Sequence, residues 1–216
     1  MMNAVQVDAL KALDTDEYLI IDTRKPQVFA EGFAEGAINI PFNQTFTESL
    51  LYLPEEEAKI LVVADDAEIP TVMKALKASG VQGIEGYLQQ GFATWLEAGK
   101  PTDMLIAIEA DEFKMDYQFD EFYLIDLRTA DDFKAGHVED AENIEMAELE
   151  RTLAELSTED SYYVYGNTAQ DAIIAASIFR RYGFERVRPV ASDYAAIQES
   201  GVPLHVQKKK DQAKNN

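Results

Sequence analysis

The chain has 216 residues, 47% of them hydrophobic and 27% charged, with a formal net charge of −21. These are globular proportions, and the charge disfavours contact with nucleic acid or an anionic membrane surface while favouring cations and basic proteins. There is no cysteine, which excludes disulfides, thiolate catalysis and Cys-based zinc sites, and two histidines, His137 and His205, are too few for a His-rich metal centre.

In chain order, the N-terminal residues MMNAVQVDALKALDTDEY combine neither a basic start nor an apolar run, so no signal peptide is expected. Tyr18–Ile21 and Ile60–Val63 read as short buried strands. Between Ala64 and Glu68 the chain reads ADDAE, an acidic loop holding Asp65, Asp66 and Glu68. A helix is expected over Pro70–Ser79: Val72, Met73 and Leu76 have helical spacing, Pro70 suits the first turn and Gly80 the end. Gly99 to Asp103 is turn-forming. Tyr123–Ile125 and Tyr162–Tyr165 are the next strands, with Tyr163 and Tyr165 on one face and Tyr162 on the other. After Tyr165 comes a tight loop, Gly166-Asn167-Thr168-Ala169-Gln170, and a helix from about Asp171 to Tyr182, ended by Gly183. No apolar run approaches the roughly 20 residues of a membrane span. These features lead us to expect a soluble, cytoplasmic protein.

The chain also repeats itself. DEYLIIDTRKPQVFAEGFAEGAINI, from Asp16, aligns without a gap with DEFYLIDLRTADDFKAGHVEDAENI, from Asp120. Asp22 falls on Asp126, Arg24 on Arg128, Phe29 on Phe133 and Gly32 on Gly136. The repeat is the length of a whole domain. It divides the chain into residues 1–102, residues 103–206 and a polar, Lys-rich tail, 207–216, expected to be disordered. Alternating strands and helices imply a mostly parallel α/β sheet with helices on both faces in each copy.

The paired stretches resemble the signature of rhodanese domains, in which Asp-x-Arg is followed by an aromatic-containing helix, then Gly-His-Ile and Gly-Ala-x-Asn-Ile-Pro. GYLQQGFATWLEAGKP is similar to the family's closing Gly-Gly-x-x-x-Trp pattern, and SDYAAIQESGVPL matches it loosely. The resemblance implies two tandem rhodanese-like domains related to thiosulfate sulfurtransferases. An active member carries a cysteine at the head of the strand-to-helix loop, commonly Cys-x-x-Gly-x-Arg. Its thiolate takes up a sulfane sulfur, and loop N–H groups, the helix N-terminus and the arginine hold the negative charge.

Here the cysteine positions are Ala64 and Gly166, and the second loop puts Ala169 for the glycine and Asp171 for the arginine. Acid stands where the family holds anions, so sulfur transfer by the family mechanism is expected to be absent, with no cofactor and no metal. Thr168 lies two positions late to replace the cysteine. Asp65, Asp66, Glu68, Asn167, Thr168 and Asp171 are candidate binding positions. Their default reading is a solvated loop matched to the helix dipole, with a divalent cation or a basic partner as alternatives. Asp22, Arg24, Asp126 and Arg128 are read as structural ion pairs, and His137 as a hydrogen-bonded structural residue. The Lys208–Lys210 run is read as solvated tail. The leading expectation is a catalytically inactive binding or regulatory module with an unidentified protein partner. The alternatives are an enzyme of another class using the acidic loops for metal or phosphate chemistry, or a partner of a separate sulfur-metabolising hydrolase.

Overall fold

In the first copy the runs YLIID and KILVV are rich in β-branched and aliphatic residues, and they become neighbouring central strands buried on both faces. They belong to a computed structural model that describes residues 3–54 and 58–205. The tail 207–216 lies outside the described residues.

Chain order in the first copy is β1 (Asn3–Val5), α1 (Val7–Ala12), β2 (Tyr18–Asp22), α2 (Pro26–Glu31), β3 (Phe33–Ala34), β4 (Ile38–Asn39), α3 (Phe46–Ser49), β5 (Lys59–Val63), α4 (Ile69–Ala78), β6 (Ile84–Leu88), α5 (Phe92–Glu97) and β7 (Thr102–Asp103). The second copy continues with α6 (Ala110–Phe119), β8 (Tyr123–Asp126), α7 (Ala130–Ala135), β9 (His137–Val138), β10 (Glu142–Asn143), α8 (Leu149–Leu153), β11 (Tyr162–Tyr165), α9 (Ala169–Arg181), β12 (Val187–Pro189), α10 (Tyr194–Ser200) and β13 (Leu204–His205).

The first sheet has the order β1-β6-β5-β2-β4 and the second β10-β8-β11-β12, and every pairing in both is parallel. Parallel neighbours require crossovers, and the crossovers place helices on both faces. A parallel bridge between Ile108 and Val190 stands in the second copy where β1 pairs with β6 in the first. The adjoining Pro189 has no N–H to extend that ladder, which suits it to an edge strand. Two antiparallel pairs, β3–β7 and β9–β13, tie the segment after each copy back to it.

Helix boundaries follow local chemistry. Pro70 lies in the first turn of α4, and Gly80, at φ +81°, closes the helix in the left-handed region. α9 begins at Ala169 rather than at Asp171. Thr168 is its N-cap, and Asp171 completes a capping box from the third helical position.

α9 also joins the two copies. Its residues Ala172 to Phe179 are all buried, although a surface helix needs only one apolar stripe. One side packs on β11 and β12, the other on β4 and α2 of the first copy. The Ser177 hydroxyl accepts from the Asn39 amide (3.1 Å) and donates to the Ile174 carbonyl (2.6 Å). Arg180 grips Asp103 with two bonds (2.6 and 2.7 Å), and Arg181 donates to the Gly36 carbonyl (3.0 Å). One cluster of buried apolar side chains therefore runs through both copies. The edge that α9 covers carries Ile38, fully buried; the matching residue of the second copy is Glu142, exposed on β10.

Candidate functional site

Each copy presents its strand-to-helix loop at the C-terminal ends of its parallel strands, where α/β folds place ligand sites. In the second copy β11 ends at Tyr165 and the loop runs from Gly166 to Thr168. The Thr168 amide donates to Asp171 Oδ2 (2.9 Å), and the Asp171 amide donates to Thr168 Oγ1 (3.4 Å). The Ala169 amide donates to Asp193 Oδ1 (3.2 Å), and Asn167, exposed, accepts from the Tyr194 amide through its carbonyl. Two amides that could face an anion therefore hold carboxylates of the chain itself. Gly166 is buried, and a Cβ built on it would lie 2.4 Å from the Asp171 Cβ and 3.0 Å from its Oδ2. The Asp171 side chain fills the space that a side chain at position 166 would need.

The first copy reaches a similar end by a different route. Ala64 is buried, and its carbonyl oxygen lies 2.6 Å from where a Cβ on Gly91 would stand. Gly91, at φ +57°, lets the following loop close directly over Ala64. Asp65 and Asp66 are exposed, and Glu68 is the N-cap residue of α4 without a side-chain cap bond. Asp66 Oδ1 accepts from the Gln90 amide (2.8 Å). A carboxylate thus laces the two loops together in each copy. Asp66 reaches from the strand-to-helix loop to the next one, and Asp193 reaches in the opposite direction. Among the described residues no three His, Asp or Glu side chains gather as a metal site would require.

The Asp-x-Arg pairs lie directly beneath these loops. Arg24 Nε and Nη2 donate to Asp22 at 2.6–3.0 Å, and Nη2 also donates to the Gly32 carbonyl (2.9 Å). Arg128 repeats this with Asp126 at 2.6–3.2 Å and the Gly136 carbonyl at 2.7 Å. An aromatic ring lies against each guanidinium: Phe92 at 4.5 Å from Arg24 and Tyr194 at 3.5 Å from Arg128. Burial raises the Tyr194 pKa, against the pull of the Arg128 charge. Asn39 and Asn143 complete the frame by donating to the backbone carbonyls of Asp22 and Arg24, and of Asp126 and Arg128. His137 stacks on Phe133 at 3.7 Å and on His205 at 4.9 Å, and its Nδ1 meets the Phe133 carbonyl at 2.8 Å.

Several participants escape a reading of the sequence. Asp193, Phe92 and Tyr194 come from the segment after the last strand of each sheet, and Phe92 and Tyr194 do occupy corresponding places in GFATW and DYAAI. The first copy also faces the second copy's loop across a crevice of about 480 Å³. Gln170 Nε2 donates to Thr45 Oγ1 (3.0 Å), and Asn43 Nδ2 donates to Gln170 Oε1 (2.5 Å). No sequence signal marks that approach.

A family model for the rhodanese-like domain matches residues 5–98 and again residues 109–200. The chain belongs to the rhodanese-like family. Its two copies are tandem rhodanese-like domains related to sulfurtransferases, and neither contains a cysteine. No curated protein matches this rhodanese-like chain. Among solved structures, the rhodanese-like domain of an Anabaena protein is 22% identical, covering 52% of this chain and 88% of that one, with a TM-score of 0.45. A full-length protein from Lactobacillus plantarum is 19% identical over 54% of this chain and 93% of its own, at 0.42. A thiosulfate sulfurtransferase from Pseudomonas aeruginosa is 18% identical and covers 95% of this rhodanese-like chain and 44% of its own, with a TM-score of 0.41. No helix among the described residues is long and apolar enough to cross a membrane.

Proposed function

We propose that this tandem rhodanese-like protein does not transfer sulfur and serves as a binding or regulatory module. The observation that carries the reading is the occupation of the second loop by Asp171, whose carboxylate takes the Thr168 amide and whose Cβ fills the space above Gly166. A family site needs a nucleophile, free loop amides and a cation. Here the nucleophile is missing, two amides are bonded to carboxylates, and each nearby arginine is committed to an aspartate and a carbonyl. An incoming anion would have to displace internal carboxylates from their amides. The same commitments weigh against another chemistry built on the acidic loops, because Asp66, Asp171 and Asp193 already accept backbone hydrogen bonds.

The test is turnover of thiosulfate and cyanide by the full chain, paired with a thermal-shift titration of thiosulfate, phosphate and divalent cations. The expected results are turnover equal to a no-protein control and no shift in melting temperature. A ligand at 100 times its dissociation constant would stabilise by about 2.7 kcal/mol, which such a scan reads easily. Turnover above the control would overturn the reading; a shift with thiosulfate without turnover would make the loops themselves the binding site.

A further inference from the structure

The second copy carries a cleft of about 650 Å³ at the opposite end of its sheet, beside the N-terminal ends of β11 and β12. Tyr163 and Val187 are its buried members. Over them stand Met104 and Ile106 of the connecting segment and Phe119 at the end of α6, exposed to 59, 60 and 83%. Met115, one turn before Phe119 on α6, is 59% exposed. Large apolar side chains gathered at one cleft mark an interaction surface more clearly than the same side chains scattered singly.

The charges around the cleft select the partner. Arg180 is neutralised by Asp103, and Arg188 by Asp116, which also accepts from the Tyr163 hydroxyl. Asp120, Glu121 and Glu185 remain exposed on the rim with no ion-pair partner among the described residues. Against them stands Arg186, which donates to the Glu159 carbonyl. The surplus is acidic, in a chain of net charge −21.

We propose that this cleft docks an extended segment of a basic partner protein, in which large apolar residues alternate with lysine or arginine. The apolar side chains bury against Phe119, Met104 and Ile106, and the cations meet Asp120, Glu121 and Glu185. Exposed aromatic anchors in a groove supply most of the affinity at such sites, and opposite charge supplies encounter rate and partner choice. The proposal rests on the reading of the chain as a binding module and places the partner away from the degenerate loops.

A fluorescent peptide, acetyl-Lys-Leu-Lys-Trp-Lys-Leu-Lys-amide, titrated with the full chain in about 0.15 M salt tests it. The wild-type protein is expected to bind. Phe119→Ser, Ile106→Ser and the pair Asp120→Lys/Glu121→Lys are each expected to weaken binding by about tenfold or more. All four positions are exposed, so circular dichroism should show the variants folded. A peptide with glutamate for lysine, or alanine for leucine and tryptophan, should bind at least about tenfold more weakly. Absence of binding, or binding that Phe119→Ser and Ile106→Ser leave intact, would overturn the proposal. So would self-association abolished by Phe119→Ser, which makes the occupant a second copy. A peptide that binds only after removal of residues 206–216 makes the occupant the chain's own tail, and also overturns it. Peptide failure in a preparation without sulfurtransferase turnover removes this proposal alone and leaves the function reading in place.

Discussion

Gly166 and Asp171 share one space: a Cβ on the first would stand 2.4 Å from the Cβ of the second. The two residues must therefore be considered together. Replacing the glycine with cysteine does not recreate a site, because the new side chain meets a carboxylate that already holds the Thr168 amide.

Gly166→Cys is expected to destabilise the protein by about 1–3 kcal/mol through overpacking, without producing sulfurtransferase turnover. Asp171→Gly should cost about 0.5–2.5 kcal/mol through loss of the capping box and a glycine inside the helix. In the Asp171→Gly background, which removes the Cβ that the new side chain meets, the cysteine should cost at least about 0.5 kcal/mol less than it does alone. Urea denaturation of the four proteins measures the cycle. Equal costs in both backgrounds would show that the two positions do not compete.

Stability should fall at alkaline pH through the buried tyrosines. Burial raises the Tyr165 pKa, reinforced by the Asp126 charge, and burial with the Asp116 hydrogen bond raises that of Tyr163. An unfolded tyrosine ionises near pH 10, while these two phenols stay neutral to higher pH. Their stabilising contribution is complete below about pH 10 and is lost as pH rises toward the folded values, by up to about 1.4 kcal/mol per pH unit for each group. Melting temperatures measured across that range should fall more gently in Tyr163→Phe. Tyr165→Phe should also flatten the fall, and both variants start lower than wild type, because Tyr163 donates to Asp116 (2.8 Å) and the Val138 amide donates to Tyr165 (3.1 Å). Parallel curves for wild type and both variants would contradict this.

The two copies should unfold as one unit, since α9 is part of both cores. Ile38→Glu gives the first copy the residue that the second has at Glu142. It should cost at least about 2–5 kcal/mol in lost apolar contact, before the buried charge is counted. Calorimetry should then resolve two transitions where the wild type shows one. A single transition in the variant would mean that the copies are joined by something other than this face.

Much of this was legible in the residues. The runs YLIID and YYVY are strands because their side chains suit a buried parallel sheet, and Pro70 and Gly80 punctuate a helix by their backbone restrictions alone. The ungapped repeat carried the tandem rhodanese-like assignment, and the absence of cysteine was visible by inspection. What the linear pattern does not carry is contact across long separations. Asp193 reaching the Ala169 amide, Phe92 covering Arg24 and Thr45 meeting Gln170 each depend on loops set side by side by the sheet. The sharing of α9 did leave a trace: AIIAASIF is apolar all round except for Ser177, and glutamate replaces isoleucine at the matching bare edge. Reading that trace requires knowing which edge the helix meets.

The placement of α9 also sets an order on biosynthesis. The first copy's strands have all been made by Asp103, yet Ile38 and Asn39 gain their cover only with Ser177, 138 residues after Asn39. At ordinary rates of translation that interval lasts about 7–30 s. Throughout it the nascent chain presents an apolar flank with nothing of its own to lay over it. The first copy made alone therefore leaves that flank bare, and synthesis must pass Ser177 before the copy made first can complete its fold.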